Sequence, residues 1–273
     1  MRMTLNGTGL WLEDTGPTAS GETVVFSHGL LFSTALFGPQ VAALRGDHRC
    51  VAYDHRGQGR SEDSDLPSIP MELLYQDAVA LIETLGVGPV HFVGLSMGGF
   101  VGMRIAARRP DLLRSLVLLE TSAEREPHEN ILRYGAMNVV ARTLGTRPLL
   151  GRLLPILFGR STLADPSRRA DVARWASGLQ QNRRGIWRAV NGVIDRVAIL
   201  PELGRVRCPT LVMVGEEDVA TVPARAETIH RAIAGSRLVR IPRAGHSSSL
   251  EQPEVVTAAV RGFVAEHGSS TAR

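Results

Sequence analysis

Residues 89–110 read PVHFVGLSMGGFVGMRIAARRP, an apolar run that ends in small residues and reopens as a helix-like stretch. β-branched and aromatic residues up to Val93 suit a buried strand, and MGGFVGMRIAARR suits a helix that starts on small residues. Between them lies Gly94-Leu95-Ser96-Met97-Gly98, a G-x-S-x-G pattern in the strand-to-helix context that gives it meaning. A chain turning that tightly needs glycines flanking Ser96, because side chains there collide as the backbone closes. The turn pushes the Ser96 hydroxyl into the open and aims the Met97 amide, at the helix N-terminus, toward any oxyanion formed by attack. The competing reading is a nucleotide-binding turn, but G-x-G-x-x-G and a P-loop lysine are both missing from the sequence.

Outward from this point, short apolar runs alternate with longer amphipathic ones. Strand-like segments start at Thr23 (TVVFSHG), Arg49 (RCVAYDHRG), Leu113 (LRSLVLLETS), Pro209 (PTLVMVGEED) and Ser236 (SRLVRIPRAGH). PMELLYQDAVALIETLG, PARAETIHRAIAG and PEVVTAAVRGFVAEHG read as helices opening at proline, and GSSTAR as a frayed tail. The alternation predicts an α/β protein with a mostly parallel sheet covered by helices on both faces. Strand signals lapse over residues 124–200, where Gly- and Pro-broken helical segments take over. An insertion there lies above the carboxyl edge of the sheet, where open α/β sheets bind ligands, so it reads as a lid.

The chain has 273 residues, 44% of them apolar and 21% charged, which suits one compact unit with room for an insertion. No apolar run is long enough to span a bilayer, and the N-terminal MRMTLNGTGLWLEDTG lacks a signal-like apolar region, so the expected location is cytoplasmic. The net charge of +4 is carried without lysine: all 31 basic residues are arginine. Thirteen arginines against six acids fall between Glu124 and Arg196, an excess that suits either a solvated helical face or steering of anions. With 5% aromatic residues and no basic cluster on one element, nucleic-acid binding is not expected. Cys50 and Cys208 sit beside strand-like runs, as buried thiols do, and suggest neither a disulfide nor a metal site.

A serine nucleophile needs a histidine base and a carboxylate to orient it. Asp218 follows VGEE just past a strand and His246 follows RIPRAG past the last one, so both reach the same sheet edge as Ser96. Glu120, at the end of the preceding strand, competes for the acid role; the Gly215–Asp218 loop followed by Pro223 favours Asp218. The order Ser96, Asp218, His246 is the one this turn motif calls for.

Taken together, His28-Gly29, Asp54-His55-Arg56-Gly57-Gln58-Gly59-Arg60-Ser61, the turn at Ser96, Asp218, and His246 with Glu251 and Pro253 behind it resemble the α/β-hydrolase superfamily over almost the whole chain. FSHGLL, DHRGQGRS and GLSMGG are most similar to bacterial aryl esterases and cofactor-free haloperoxidases, and less so to enol-lactonases. The resemblance implies an α/β-hydrolase fold: an eight-stranded sheet formed by residues 1–123 and 201–273, with a helical cap over 124–200 inserted after the sixth strand. It also implies an oxyanion hole of the Leu30 and Met97 amides, with His28 orienting that loop. Asp54, Arg56 and Ser61 are expected to hold their loop through hydrogen bonds and an ion pair. Trp175 and Trp187 are candidates for lining an acyl pocket, but amphipathic helices bury such residues in any case, and burial is the preferred reading. Leu31 departs from the proline carried by several perhydrolase-type members, which argues against peracid formation.

The expected activity is serine-dependent hydrolysis of small to medium carboxylic esters or lactones through an acyl-enzyme, without metal or other cofactor. Its partner would be a small-molecule ester, not a nucleic acid or a membrane. Ser96 in place of a carboxylate excludes dehalogenase and epoxide-hydrolase chemistry, and the missing lysine excludes the hydroxynitrile-lyase type. Two alternatives remain: a carbon–carbon hydrolase of ring-cleavage dienoates and a slow-turnover ligand receptor.

Overall fold

The computed structural model describes residues 1–268; the expected frayed end over 269–273 lies outside the described residues. The eight strands are β1 (Arg2–Leu5), β2 (Thr8–Asp14), β3 (Thr23–Ser27), β4 (Arg49–Tyr53), β5 (Val90–Leu95), β6 (Leu113–Leu119), β7 (Thr210–Gly215) and β8 (Arg237–Ile241). They form one sheet in the order β1-β2-β4-β3-β5-β6-β7-β8, parallel from β4 to β8 and antiparallel at β1 and β2. The alternating pattern thus gave the six parallel strands. It missed the β1–β2 hairpin, whose signal is the Asn6-Gly7 turn, both residues at positive φ (46° and 73°).

The first helices flanking this sheet are α1 (Gly38–Leu44), α2 (Met71–Leu85) and α3 (Met97–Arg108). β5 and β6 show how two faces are buried at once. Phe92, Leu116 and Leu118 join α2 and α3 in one apolar cluster, while Val93, Leu95, Val117 and Leu119 point the other way. There they pack with Leu44 of α1 and the C-terminal helix residues Val256, Val260 and Phe263. Period-2 alternation within wholly apolar runs is what a doubly covered parallel sheet requires. α3 lies close against the sheet through Gly102, where an added Cβ would come within 2.9 Å of the Phe92 ring.

Five helices separate β6 from β7: α4 (His128–Leu144), α5 (Leu150–Leu157), α6 (Arg160–Ala164), α7 (Arg169–Gln180) and α8 (Trp187–Ile194). They share a small apolar cluster of their own around Met137, Leu153, Phe158 and Leu179. After β7 come α9 (Pro223–Ala232), α10 (Ser248–Glu251) and α11 (Pro253–Glu266). The short helices α1, α6 and α10 carry too few turns to show a period in the sequence. No helix among the described residues is long and apolar enough to cross a membrane.

Candidate active site

Ser96 sits at the N-cap of α3 with φ 53° and ψ −109°, a left-handed conformation that a non-glycine residue adopts only under constraint. The constraint comes from both sides. Its amide donates to the Leu119 carbonyl (2.8 Å), and its carbonyl accepts from the Thr121 hydroxyl (2.8 Å). A Cβ on Gly98 would lie 1.9 Å from the Ser27 carbonyl oxygen, and one on Gly94 would lie 2.4 Å from the Gly98 carbonyl oxygen. Both glycines are therefore required by backbone packing, and the surrounding sheet holds a strain of about 1–3 kcal/mol at Ser96.

Past the ends of β7 and β8, His246 Nδ1 faces the Asp218 carboxylate at 3.0 and 3.1 Å. Asp218 is buried and also accepts from the amides of Ala220 (2.8 Å) and Thr221 (3.0 Å) and from the Thr221 hydroxyl (2.7 Å). Burial alone would raise its pKa; the His246 charge and these hydrogen bonds outweigh it and hold the carboxyl below the ordinary aspartate range. Glu120 has the opposite environment. Fully buried beside the Asp218 charge, it is pushed well above the ordinary glutamate range, and its Oε1 accepts from the Gly215 amide (3.1 Å), not from His246. Of the two candidate acids, Asp218 is the one that meets the histidine.

The third wall is the loop after β3. His28, buried, has Nδ1 2.7 Å from the Gly29 carbonyl, while its Nε2 accepts the His55 amide (3.0 Å). Nδ1 is thus the protonated nitrogen, and burial keeps the ring below the usual histidine pKa, hence neutral. Leu31 holds a positive φ of 72° because its amide donates to Gln58 Oε1 (2.9 Å), and Gln58 Nε2 lies 3.7 Å from Met97 Sδ. Among the described residues the Leu30 and Met97 amides donate no hydrogen bond. The DHRGQGRS loop is fastened as expected: Asp54 accepts the Thr34 and Arg60 amides (2.7 Å each), and the Ser61 hydroxyl donates to the Asp54 carbonyl (2.6 Å). Arg56 forms a two-pronged pair with Asp77.

Ser96, His246, Gly29 and Leu30 open onto one cavity of about 120 Å³ whose remaining lining is mostly apolar. The sheet side contributes Leu31, Phe32 and Phe100; α4 and α5 contribute Tyr134, Met137, Leu153 and Leu157; α8 contributes Val190 and Val193. Trp175 and Trp187 do not line it; both pack among side chains of the segment between β6 and β7, the reading preferred from the sequence. Trp175 stacks on Phe158 (4.8 Å, 11°), and the Trp187 ring is covered by Arg142 and Arg188. Among the arginines between β6 and β7, Arg196 alone reaches the cavity, where it is paired with Glu126. Arg168 and Arg174 pair with Asp171, and Arg188 with Asp63.

Several of these residues give no local signal in the sequence. Gln58, Glu126 and Arg196 act through partners that are close only in the fold: Gln58 is 27 residues from Leu31 and Arg196 is 70 from Glu126. Gln58 lies inside the DHRGQGRS motif, but its bond to Leu31 depends on how the two loops fold together. Among the described residues no group of three or more His, Cys, Asp and Glu side chains could hold a metal ion.

Comparison with known proteins gives the same architecture. A thermophilic esterase from Thermogutta terrifontis superposes with a TM-score of 0.89 at 28% identity, covering 98% of this chain and 99% of its own. The enol-lactonase from Burkholderia xenovorans LB400 gives a TM-score of 0.88 at 29% identity, covering 97% and 100%. "Putative non-heme bromoperoxidase BpoC" of Mycobacterium tuberculosis is 28% identical over 251 residues, 90% of this chain and 95% of its own. The profile of the alpha/beta hydrolase family matches residues 24–259. With that match over most of its length and the sheet, turn and loops arranged as described, this chain belongs to the alpha/beta hydrolase family.

Proposed function

We propose that the protein is a serine carboxylesterase that cleaves small to medium uncharged esters, lactones included, through an acyl-enzyme on Ser96. The observation that carries this reading is the meeting, on one apolar cavity, of Ser96 with a His246 whose other nitrogen is held by Asp218. Asp218 below its usual pKa stays ionised, fixes the proton on Nδ1 and leaves Nε2 as the base. His246 Nε2 takes the Ser96 proton as Oγ attacks the ester carbonyl. The unpartnered amides of Leu30 and Met97, the latter at the positive end of α3, receive the oxyanion. Collapse of the intermediate expels the alcohol with the proton from His246, and a water deprotonated by the same ring then releases the acid.

Residues 124–200 act in this scheme as a cap that supplies the apolar wall for the acyl group. The apolar lining favours an uncharged acyl chain, since a buried carboxylate without a free cation is costly. The one arginine on the wall is already neutralised by Glu126. That pairing disfavours the dienoate alternative, which calls for a free cation to meet the substrate carboxylate.

The test is release of nitrophenol from p-nitrophenyl esters of increasing acyl length, measured for the wild type and Ser96→Ala. A steady rate that peaks at one acyl length and falls at least about 10³-fold in the variant is the expected outcome. An active Ser96→Ala enzyme would overturn the assignment. A burst without turnover would replace it with the receptor reading.

A further inference from the structure

Glu251 closes α10, five residues beyond His246 in sequence, and is 1% exposed. Its two carboxylate oxygens serve two different parts of the chain. Oε1 accepts the amides of Gly245 (2.9 Å) and Ser247 (3.2 Å), the residues on either side of His246. Oε2 accepts the Gly159 amide (2.7 Å) and the Thr162 hydroxyl (2.6 Å), both from the junction of α5 and α6. That junction packs flush against the histidine loop: a Cβ on Gly245 would lie 2.2 Å from the Gly159 nitrogen. The residue next to Asp218 grips the same junction, for Glu217 Oε2 accepts the Ser161 amide (2.8 Å) and Oε1 accepts the Ser161 hydroxyl. Arg168 then reaches from the cap to the Leu250 and Glu251 carbonyls (3.1 Å each).

We infer that Glu251 is a positioning residue for His246 and that it makes seating of the histidine loop depend on docking of residues 159–162 of the cap. The inference rests on the reading of His246 as the base. A carboxylate bound by four donors and cut off from water is oriented tightly, so a shift of the α5–α6 junction passes to the Gly245 and Ser247 amides. Opening the cap then loosens the base, and closing it over substrate sets the base in place. Sub-ångström displacement of a catalytic group is enough to be read in the rate, because misplacement by about 1 Å costs about 10²-fold.

Glu251→Gln and Thr162→Val divide the two halves of the clamp. In Glu251→Gln one oxygen becomes an NH₂ donor facing other donors, so at least one side must let go. Thr162→Val removes only the cap-side hydroxyl and touches nothing in the cavity. Expected are a fall in kcat of about 10–100-fold for Glu251→Gln and about 3–10-fold for Thr162→Val, with smaller changes in KM. The pH profile of kcat/KM shifts in both, and the downfield NMR resonance of the His246 Nδ1 proton broadens or moves. Both variants losing thermal stability while kcat, pH profile and resonance stay as in the wild type would overturn the inference. If Glu251→Gln does not fold, Thr162→Val carries the test alone. The resonance needs no substrate, so it reports on positioning even if the protein proves not to be an esterase, which Ser96→Ala decides separately.

Discussion

Every residue of β5 is buried, whereas α4 leaves Leu132 79% exposed and Val139 65% exposed. α4 lines the cavity and β5 leads into Ser96, which opens onto it, yet the two elements are built on different terms. The sheet surrounds the strained residues Ser96, Glu120 and Leu31, all at positive φ, with apolar clusters packed on both faces. The helices between β6 and β7 have one small cluster and many exposed charges. Strain can be stored where many contacts over-determine the backbone, and adaptable substrate contacts belong where few do. On the proposed function, the contrast puts chemistry on the sheet and specificity on the helices.

The largest effect expected from that contrast is on stability. Phe92→Ala, in the core beneath α3, should cost about 3–5 kcal/mol, and Leu132→Ala on α4 less than about 0.5 kcal/mol, both read from urea midpoints at constant m. Comparable costs would break the comparison. A middle-sized effect concerns the buried acid under the histidine loop. Glu120 in the folded protein keeps its proton to a higher pH than in the unfolded chain. The favourable contribution is therefore complete below the unfolded value, about 4.3, and drains away as pH rises from there through the raised folded value. Glu120→Gln has no proton to lose, so the wild-type Tm should fall relative to the variant as pH rises above the unfolded value of about 4.3. Parallel curves would show Glu120 to be as easily ionised as a surface acid. The smallest effect is in the helices between β6 and β7: on the proposed function, Leu153→Ala should shift the preferred acyl length with about a 3–10-fold change in KM and little change in kcat for the best substrate. A large loss in kcat instead would place chemistry, and not specificity, on that wall.

How far the sequence could be read follows the same division. The turn at Ser96 was legible because its requirements are local: glycines at 94 and 98, apolar residues before, small ones after. Asp218 and His246 were legible because each follows a strand whose end the apolar run marks. Glu251 was visible as part of a motif, yet its use was not, since Thr162 lies 89 residues away. The helices between β6 and β7 were detectable one by one. Which of their residues face the cavity was not, because α4 has no clean apolar stripe: apolar Leu132, Val139 and Leu144 are exposed, while polar Asn138 is buried. For Trp175 and Trp187 the sequence allows either a pocket wall or ordinary burial, and the second holds: they pack on Phe158 and on arginines. A bulky apolar side chain reports burial, and its direction depends on packing between helices that no short period encodes.

Trapping the acyl-enzyme tests the central claim most directly. The protein is mixed with a p-nitrophenyl ester, quenched in acid during turnover and digested, and the peptides are weighed by mass spectrometry. The account predicts one acyl group on the peptide bearing Ser96 and none in Ser96→Ala. An acyl group on another residue, or equal labelling of the variant, would contradict it.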